Sequence, residues 1–129
     1  MQHAQGSFAV AITPLPADGL GYSRMTLSKQ FSGDLAGNSS GLMLSAGDPA
    51  KGEAGYVAIE VVSATLAGRA GGFALQHSGT MAAGSQQLAI AIVPGSGSGA
   101  LSGINGSMTI RIEGRAHFYT LIYTLPSTP

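Results

Sequence analysis

Three ionisable side chains stand out because each shares a strand face with large apolar residues. Alternate side chains of a β-strand point to the same side of the sheet. Lys29 therefore lies on the same side of its strand as Leu27, and His77 lies on the same side as Leu75. Glu60 shares its side with Ala58 and Val62. If these three faces line the interior of one barrel, a lysine, a carboxylate and an imidazole meet in apolar surroundings.

Such a cluster could move protons. Burial raises the pKa of a carboxyl group such as Glu60, and a nearby lysine lowers it. Glu60 could then abstract or deliver a proton or stabilise a developing cation, and His77 could shuttle the proton. Lys29, Glu60 and His77 are therefore the candidate catalytic residues. Two plainer interpretations stay open: Lys29 and Glu60 form a structural ion pair at a barrel mouth, and His77 is a hydrogen-bonded structural or interface residue.

Apolar and aromatic residues on the same faces are the candidate ligand contacts, namely Met25, Tyr56, Phe73 and Tyr119. The hydroxyl groups of Tyr56 and Tyr119 could orient a carbonyl or hydroxyl group by hydrogen bonding. Tyrosines two residues apart, such as Tyr119 and Tyr123, also suit ordinary barrel core or dimer contacts.

The elements that must position these residues are strands. Runs rich in β-branched and alternating residues, separated by Gly, Pro and Asp-Gly turns, predict about eight strands. They cover residues 8–13, 24–31, 35–45, 54–67, 72–82, 88–94, 107–113 and 116–125. No stretch has a convincing helical period, and the segment from 95 to 106 is irregular.

Short connections between successive strands favour antiparallel neighbours in a meander. Eight antiparallel strands can close on themselves, which removes the unpaired edges. The fold class predicted is all-β, a closed antiparallel eight-stranded barrel. The chain forms one domain over residues 1–129, with an ordered core from about residue 6 to 126.

Composition excludes several functions. Only 9% of the residues are charged, with six basic and six acidic side chains, so a nucleic-acid partner is not expected. With no cysteine, no zinc-like histidine spacing and no carboxylate cluster, neither a metal nor another cofactor is expected. The N-terminus does not resemble a signal peptide and no apolar run could span a membrane, which predicts a cytoplasmic protein without a membrane partner.

The low charge and the two apolar faces of residues 54–67 also predict a homo-oligomer. One face should line the barrel and the other should pack on a partner subunit or a loop. A twofold dimer is the commonest closed assembly and is the state expected here.

Three long segments carry a family resemblance. They are "MTLSKQFSGDLAGNSSGLML", "GEAGYVAIEVVSATLAGRAGGFALQHSGTM" and "VPGSGSGALSGINGSMTIRIEGRAHFYTLIYTLP". Their order resembles a family of small bacterial proteins known as domain of unknown function 3224, from about Gly6 to Pro126. That family is similar to the allene oxide cyclase-like barrels, which include cofactor-free cyclases. The resemblance implies an eight-stranded antiparallel barrel that commonly forms oligomers, trimers as well as dimers, and no settled activity.

Three functions fit these observations. The first is a barrel that binds a small hydrophobic molecule, as a cofactor-free isomerase or cyclase. The second is a non-catalytic carrier of a hydrophobic ligand. The third is a structural or assembly protein with a filled barrel. The volume inside the barrel separates the third from the other two.

Overall fold

Nine strands make up most of the described residues. The structure is a computed structural model that describes residues 1–126. The strands are β1 (Gln2–Pro14), β2 (Ser23–Gly33), β3 (Leu35–Asp48), β4 (Glu53–Leu66), β5 (Arg69–Ala82), β6 (Ser85–Ile92), β7 (Ser98–Gly99), β8 (Asn105–Glu113) and β9 (Ala116–Thr124). Within the described residues, the helical structure is a single 3-10 turn, Pro49–Lys51, between β3 and β4.

The eight long strands close into an antiparallel barrel. Each pairs with its neighbour in the order β1, β2, β3, β4, β5, β6, β8, β9, and β9 pairs with β1 to complete the ring. The two-residue strand β7 adds a short pairing to the start of β5 at Gly71 and Gly72. The predicted closed eight-stranded antiparallel barrel is therefore confirmed.

The first strand is longer than the sequence pattern indicates. The apolar alternation begins at Phe8, whereas β1 begins at Gln2 and pairs with β9 from Gln2↔Tyr123 onward. Small and polar residues fill this added stretch, so it has no apolar period. Pairing with β9 holds it in the sheet despite its composition, as tertiary context often does for strands.

One end of the barrel is closed by packed side chains. Leu35 and Leu66 lie at the β2–β3 and β4–β5 turns and are fully buried. The connection from β6 to β8 folds over the same end and buries Leu101 and Ile104 in the core. We call this the closed end. The interior near it is a continuous hydrophobic core.

The opposite end is less filled. It is framed by the β3–β4 loop, the β5–β6 turn and the start of β2, and we call it the mouth. Met25, Met43 and Tyr56 are only half-buried there, in contrast to the fully buried leucines of the closed end. The barrel thus has a tightly packed interior near the closed end and an accessible mouth.

Candidate functional site

Four polar side chains meet inside the barrel between these two ends. They are Lys29 from β2, Ser39 from β3, Glu60 from β4 and His77 from β5, and all four are buried. We call them the interior cluster. The structure thus brings together the three ionisable residues singled out from the sequence and adds a serine.

Strand register explains why these side chains converge. Lys29 lies directly opposite Ser39 on neighbouring strands, and Glu60 lies opposite Gly41 on β3. Gly41 presents no side chain at this position, and a Cβ atom there would lie 2.2 Å from the Ile59 carbonyl oxygen. Glycine thus lets the β3 backbone approach β4 closely at Glu60, and the Lys29 ammonium group reaches the Glu60 carboxylate from two strands away.

Glu60 is the centre of the cluster. Its Oε1 lies 3.1 Å from Lys29 Nζ and 2.7 Å from His77 Nε2, while the Ser39 hydroxyl donates a hydrogen bond to Oε2. The side chain of Glu60 has no exposed surface. A buried carboxylate is costly unless it is paired and hydrogen-bonded, and here both of its oxygen atoms have partners.

These contacts keep Glu60 ionised. Burial by itself would raise the pKa of the Glu60 carboxyl, but the hydrogen bond from His77, the positive charge of Lys29 and the hydrogen bond from Ser39 outweigh it and lower that pKa below its usual value. Lys29 gains further stabilisation because its ammonium group lies 4.8 Å from the centre of the Phe8 ring. At neutral pH the Lys29–Glu60 pair therefore carries no net charge.

The ionised carboxylate fixes the proton on His77. A carboxylate only accepts hydrogen bonds, so His77 Nε2 must carry the hydrogen and donate it to Glu60. In the neutral imidazole, Nδ1 then carries a free lone pair. Among residues 1–126, Nδ1 has no hydrogen-bond partner, although the His77 side chain is buried. Nδ1 is thus a proton acceptor that no protein group among these residues occupies.

An apolar pocket of about 340 Å³ opens at the mouth. We call it the mouth pocket. Three methionines, Met25, Met43 and Met81, form much of its wall, together with Tyr56. Its other lining residues are Ile12, Ser45, Pro49, Ala54, Gly55, Gly79, Thr80, Gln86, Gln87 and Leu88.

Tyr56 connects the mouth pocket to the interior cluster. Its ring lies over Gly79, where an added Cβ atom would come within 2.5 Å of the ring, and its centre is 6.3 Å from that of His77. Burial, and to a smaller extent the charge of Glu60, raise the pKa of the Tyr56 hydroxyl, which therefore stays protonated at neutral pH. This hydroxyl has no hydrogen-bond partner in the described part of the chain.

The four candidate ligand contacts separate into two groups. Met25 and Tyr56 line the mouth pocket, whereas Phe73 and Tyr119 belong to the hydrophobic core toward the closed end. The Tyr119 hydroxyl accepts a hydrogen bond from the Leu35 backbone amide and lies 3.0 Å from the carbonyl oxygen of Ser32. Phe73 and Tyr119 are therefore placed away from the mouth, and Tyr119 is engaged with the backbone of the β2–β3 turn.

Sequence reasoning missed Ser39 as a member of the cluster. Alternation places Ser39 on the inward face of β3, but a serine among small residues gives no chemical signal without the register that sets it beside Lys29. Met25 is a candidate ligand contact from the sequence, and the structure gathers it with Met43 and Met81 around one pocket.

Other surfaces of the described residues are less suited to bind a small molecule than the mouth pocket. A depression of about 880 Å³ is an open trough along β3, β4 and β5 beside the loop that carries β7, and small side chains form most of it. Residues 1–126 contain no group of three histidine, cysteine or acidic side chains arranged to hold a metal. In that same range, no helix is long and apolar enough to cross a membrane.

Comparison with known proteins identifies relatives of the whole barrel. A family model described as "Protein of unknown function (DUF3224)" matches residues 4–123. The chain is also similar to a crystal structure of a protein with unknown function from the DUF3224 family of Shewanella oneidensis MR-1, at 44% sequence identity and a TM-score of 0.92, covering 99% of each chain. A search of curated proteins finds no match. The finer likeness to allene oxide cyclase barrels stays a prediction.

Proposed function

The chain belongs to the DUF3224 family, and from the geometry of its barrel mouth we propose that it binds a small apolar molecule there and acts on it as a cofactor-free isomerase or cyclase. The observation that carries the proposal is an apolar pocket lined by Tyr56, whose ring neighbours a buried imidazole that is hydrogen-bonded to a buried carboxylate. His77 is the proposed general base. Glu60 and Lys29 are positioning residues that act through it.

The pocket suits a small ligand. Its volume of about 340 Å³ falls within the range of roughly 300–1,000 Å³ common for small-molecule sites. Methionine side chains are flexible and polarizable, so the Met25, Met43 and Met81 wall can adapt to an irregular apolar shape. The few polar groups nearby would orient the ligand rather than provide most of its affinity.

The cluster is organised for proton transfer. Glu60 holds His77 in one tautomer and would stabilise the imidazolium that forms when Nδ1 takes a proton, which is the role of the carboxylate in other carboxylate–histidine pairs. Lys29 keeps Glu60 ionised, and Ser39 supports the second carboxylate oxygen. A positioned base of this kind typically contributes about 10²- to 10⁴-fold to a reaction rate.

One observation favours a carrier as the second candidate. The residues that line the mouth pocket include Tyr56 but not His77 or Glu60, which lie one layer deeper. A ligand held only by the methionines and Tyr56 would be bound without chemistry. The third function, a fully filled barrel, fits the closed end, but the mouth pocket argues against it for the whole molecule.

Binding at the mouth can be tested with a neutral fluorescent probe, N-phenyl-1-naphthylamine. We expect the wild-type protein to enhance its fluorescence, and Met25→Gln and Met81→Gln to weaken binding about tenfold each, because a polar group replaces apolar lining. Ile112→Gln is the matched control, since Ile112 of β8 does not line the pocket and is 62% exposed. Absence of probe binding to the wild type, or equal loss in the Ile112 control, would refute the proposed site.

A further inference from the structure

Two polar atoms near the mouth have no partner in the described part of the protein and have opposite hydrogen-bonding character. The Tyr56 hydroxyl is a donor, and the His77 Nδ1 lone pair is an acceptor. Their rings are neighbours, with centres 6.3 Å apart. The walls of the mouth pocket, to which Tyr56 belongs, are mostly apolar, and His77 lies one layer deeper. The complementary ligand is therefore an apolar molecule that presents a hydrogen-bond acceptor and, close to it, an acidic hydrogen.

An apolar carbonyl compound has both features within a few bonds. Its oxygen can accept the hydrogen bond from a phenol, and the C–H bond next to the carbonyl is the one whose acidity rises most when that oxygen is hydrogen-bonded. A hydrogen bond that strengthens as charge develops on the oxygen is the usual way in which enzymes stabilise an enolate.

We infer that the mouth pocket takes apolar ketones or aldehydes with a hydrogen on the α-carbon, that His77 Nδ1 removes this hydrogen, and that Tyr56 donates a hydrogen bond to the carbonyl oxygen. This inference rests on the proposed function and specifies its substrate class. It also gives Tyr56 a catalytic role distinct from that of a pocket wall.

The step balances without any further reactant. The α-C–H bond breaks and its proton moves to Nδ1; the electron pair forms a C=C bond while the carbonyl oxygen becomes an enolate oxygen. The proton then returns from Nδ1, either to the same carbon or, in a β,γ-unsaturated compound, to the γ-carbon to give the conjugated isomer. Nothing is oxidised or reduced.

Charge is conserved locally as well. When His77 becomes an imidazolium, the interior cluster changes from neutral to a single positive charge, and the enolate in the pocket supplies the matching negative charge. Glu60 remains beside the imidazolium at the Nε2 position. Because burial and the Glu60 charge raise the pKa of the Tyr56 hydroxyl, it keeps its proton and stays a donor throughout the cycle.

The test is hydrogen–deuterium exchange at the α-carbon of 2-tetralone, a bicyclic apolar ketone, followed by proton NMR in D₂O. We expect the wild-type protein to accelerate exchange above the buffer rate. Tyr56→Phe should lower the turnover rate about 10²-fold with little change in KM, since one oxyanion donor is lost. His77→Gln should lower it by about 10²-fold or more.

Tyr123→Phe is the matched control, because the Tyr123 hydroxyl bonds to Gln2 away from the mouth, and its rate should equal that of the wild type. Circular dichroism and probe binding check that each variant is folded. If 2-tetralone binds without accelerated exchange, or if Tyr56→Phe exchanges as fast as the wild type, the inference is wrong while apolar binding stands. If neither 2-tetralone nor N-phenyl-1-naphthylamine binds, the proposed function fails too.

Discussion

At the scale of single residues, Glu60 is the residue whose replacement should affect stability most, because it is a fully buried charge that contacts three polar side chains. Replacing it by glutamine leaves the Lys29 ammonium buried without a counter-charge. We expect Glu60→Gln to lower the free energy of unfolding by about 3 kcal/mol or more, as found when one partner of a buried ion pair is removed. Glu53→Gln, on an exposed residue of the same strand, should have little effect.

The same residue gives stability a defined pH dependence. The pKa of Glu60 is lower in the folded protein than in the unfolded chain, so the unfolded chain binds the proton first as the pH falls. The contribution of Glu60 is complete above about pH 5 and is lost progressively below it, with a slope of at most about 1.4 kcal/mol per pH unit. Urea unfolding of wild type and Glu60→Gln across this range should show their difference shrinking in acid. A constant difference would contradict this assignment.

The ionisable members of the cluster could be predicted from sequence, and the remaining members could not. Alternation alone places Lys29, Glu60 and His77 on apolar faces, and charged residues on such faces are rare enough to attract attention. Ser39 lacks that contrast with its neighbours. Its part in the cluster depends on pairing with Lys29 across β2 and β3, a register that single-strand patterns do not specify.

At the scale of elements, Tyr119 of β9 holds the β2–β3 turn in place through hydrogen bonds to its backbone. Its hydroxyl bonds to the Leu35 amide and lies within hydrogen-bond reach of the Ser32 and Leu35 carbonyl oxygens. Because Leu35 is fully buried, its amide would lose its partner in Tyr119→Phe. We expect this variant to be destabilised by about 1–3 kcal/mol, measured by urea unfolding. Tyr22→Phe, whose hydroxyl bonds to the exposed Asp18, should change stability much less; equal losses would remove the special role of Tyr119.

The sequence does not indicate which end of the barrel is closed, because the connection between β6 and β8 closes it. Most of that segment, residues 93–104, has no hydrophobic periodicity, and its Leu101 and Ile104 look like isolated apolar residues in a glycine-rich loop. In the structure both are buried in the core and fill the closed end. This packing explains why Phe73 and Tyr119 became core residues while Met25 and Tyr56 line the mouth pocket, although all four lie on inward faces.

At the scale of the whole molecule, the barrel architecture was predictable because it depends on many weak signals that agree. Glycine, proline and Asp-Gly turns divide the chain into strands of suitable length, and short connections make neighbours antiparallel. Closure is favoured because pairing the first strand with the last removes both unpaired edges of the sheet. β1 and β9 form that pairing.

The outer surface of the barrel has one uncharged apolar face. Val57, Ile59 and Val61 of β4 are 51%, 46% and 59% exposed, and Leu42 of β3 lies beside them at 44%. The outward side chains of residues 36–46 and 55–65 include no charged group. A face without charge meets no electrostatic mismatch when it packs against its own copy, as a twofold interface requires. We therefore propose that a second copy of the chain covers this face in a dimer.

This arrangement predicts that a charge at the centre of the face separates the subunits. Ile59→Lys would bury an unpaired ammonium in the interface, so we expect light scattering to give the monomer mass for this variant and twice that mass for the wild type. Thr109→Lys is the matched control, since Thr109 is an exposed residue of β8 on another side of the barrel, and it should remain dimeric. Because the mouth pocket lies at the end of the barrel, Ile59→Lys should also retain N-phenyl-1-naphthylamine binding. A monomeric wild type, or dissociation of both variants, would show that this face is not the interface.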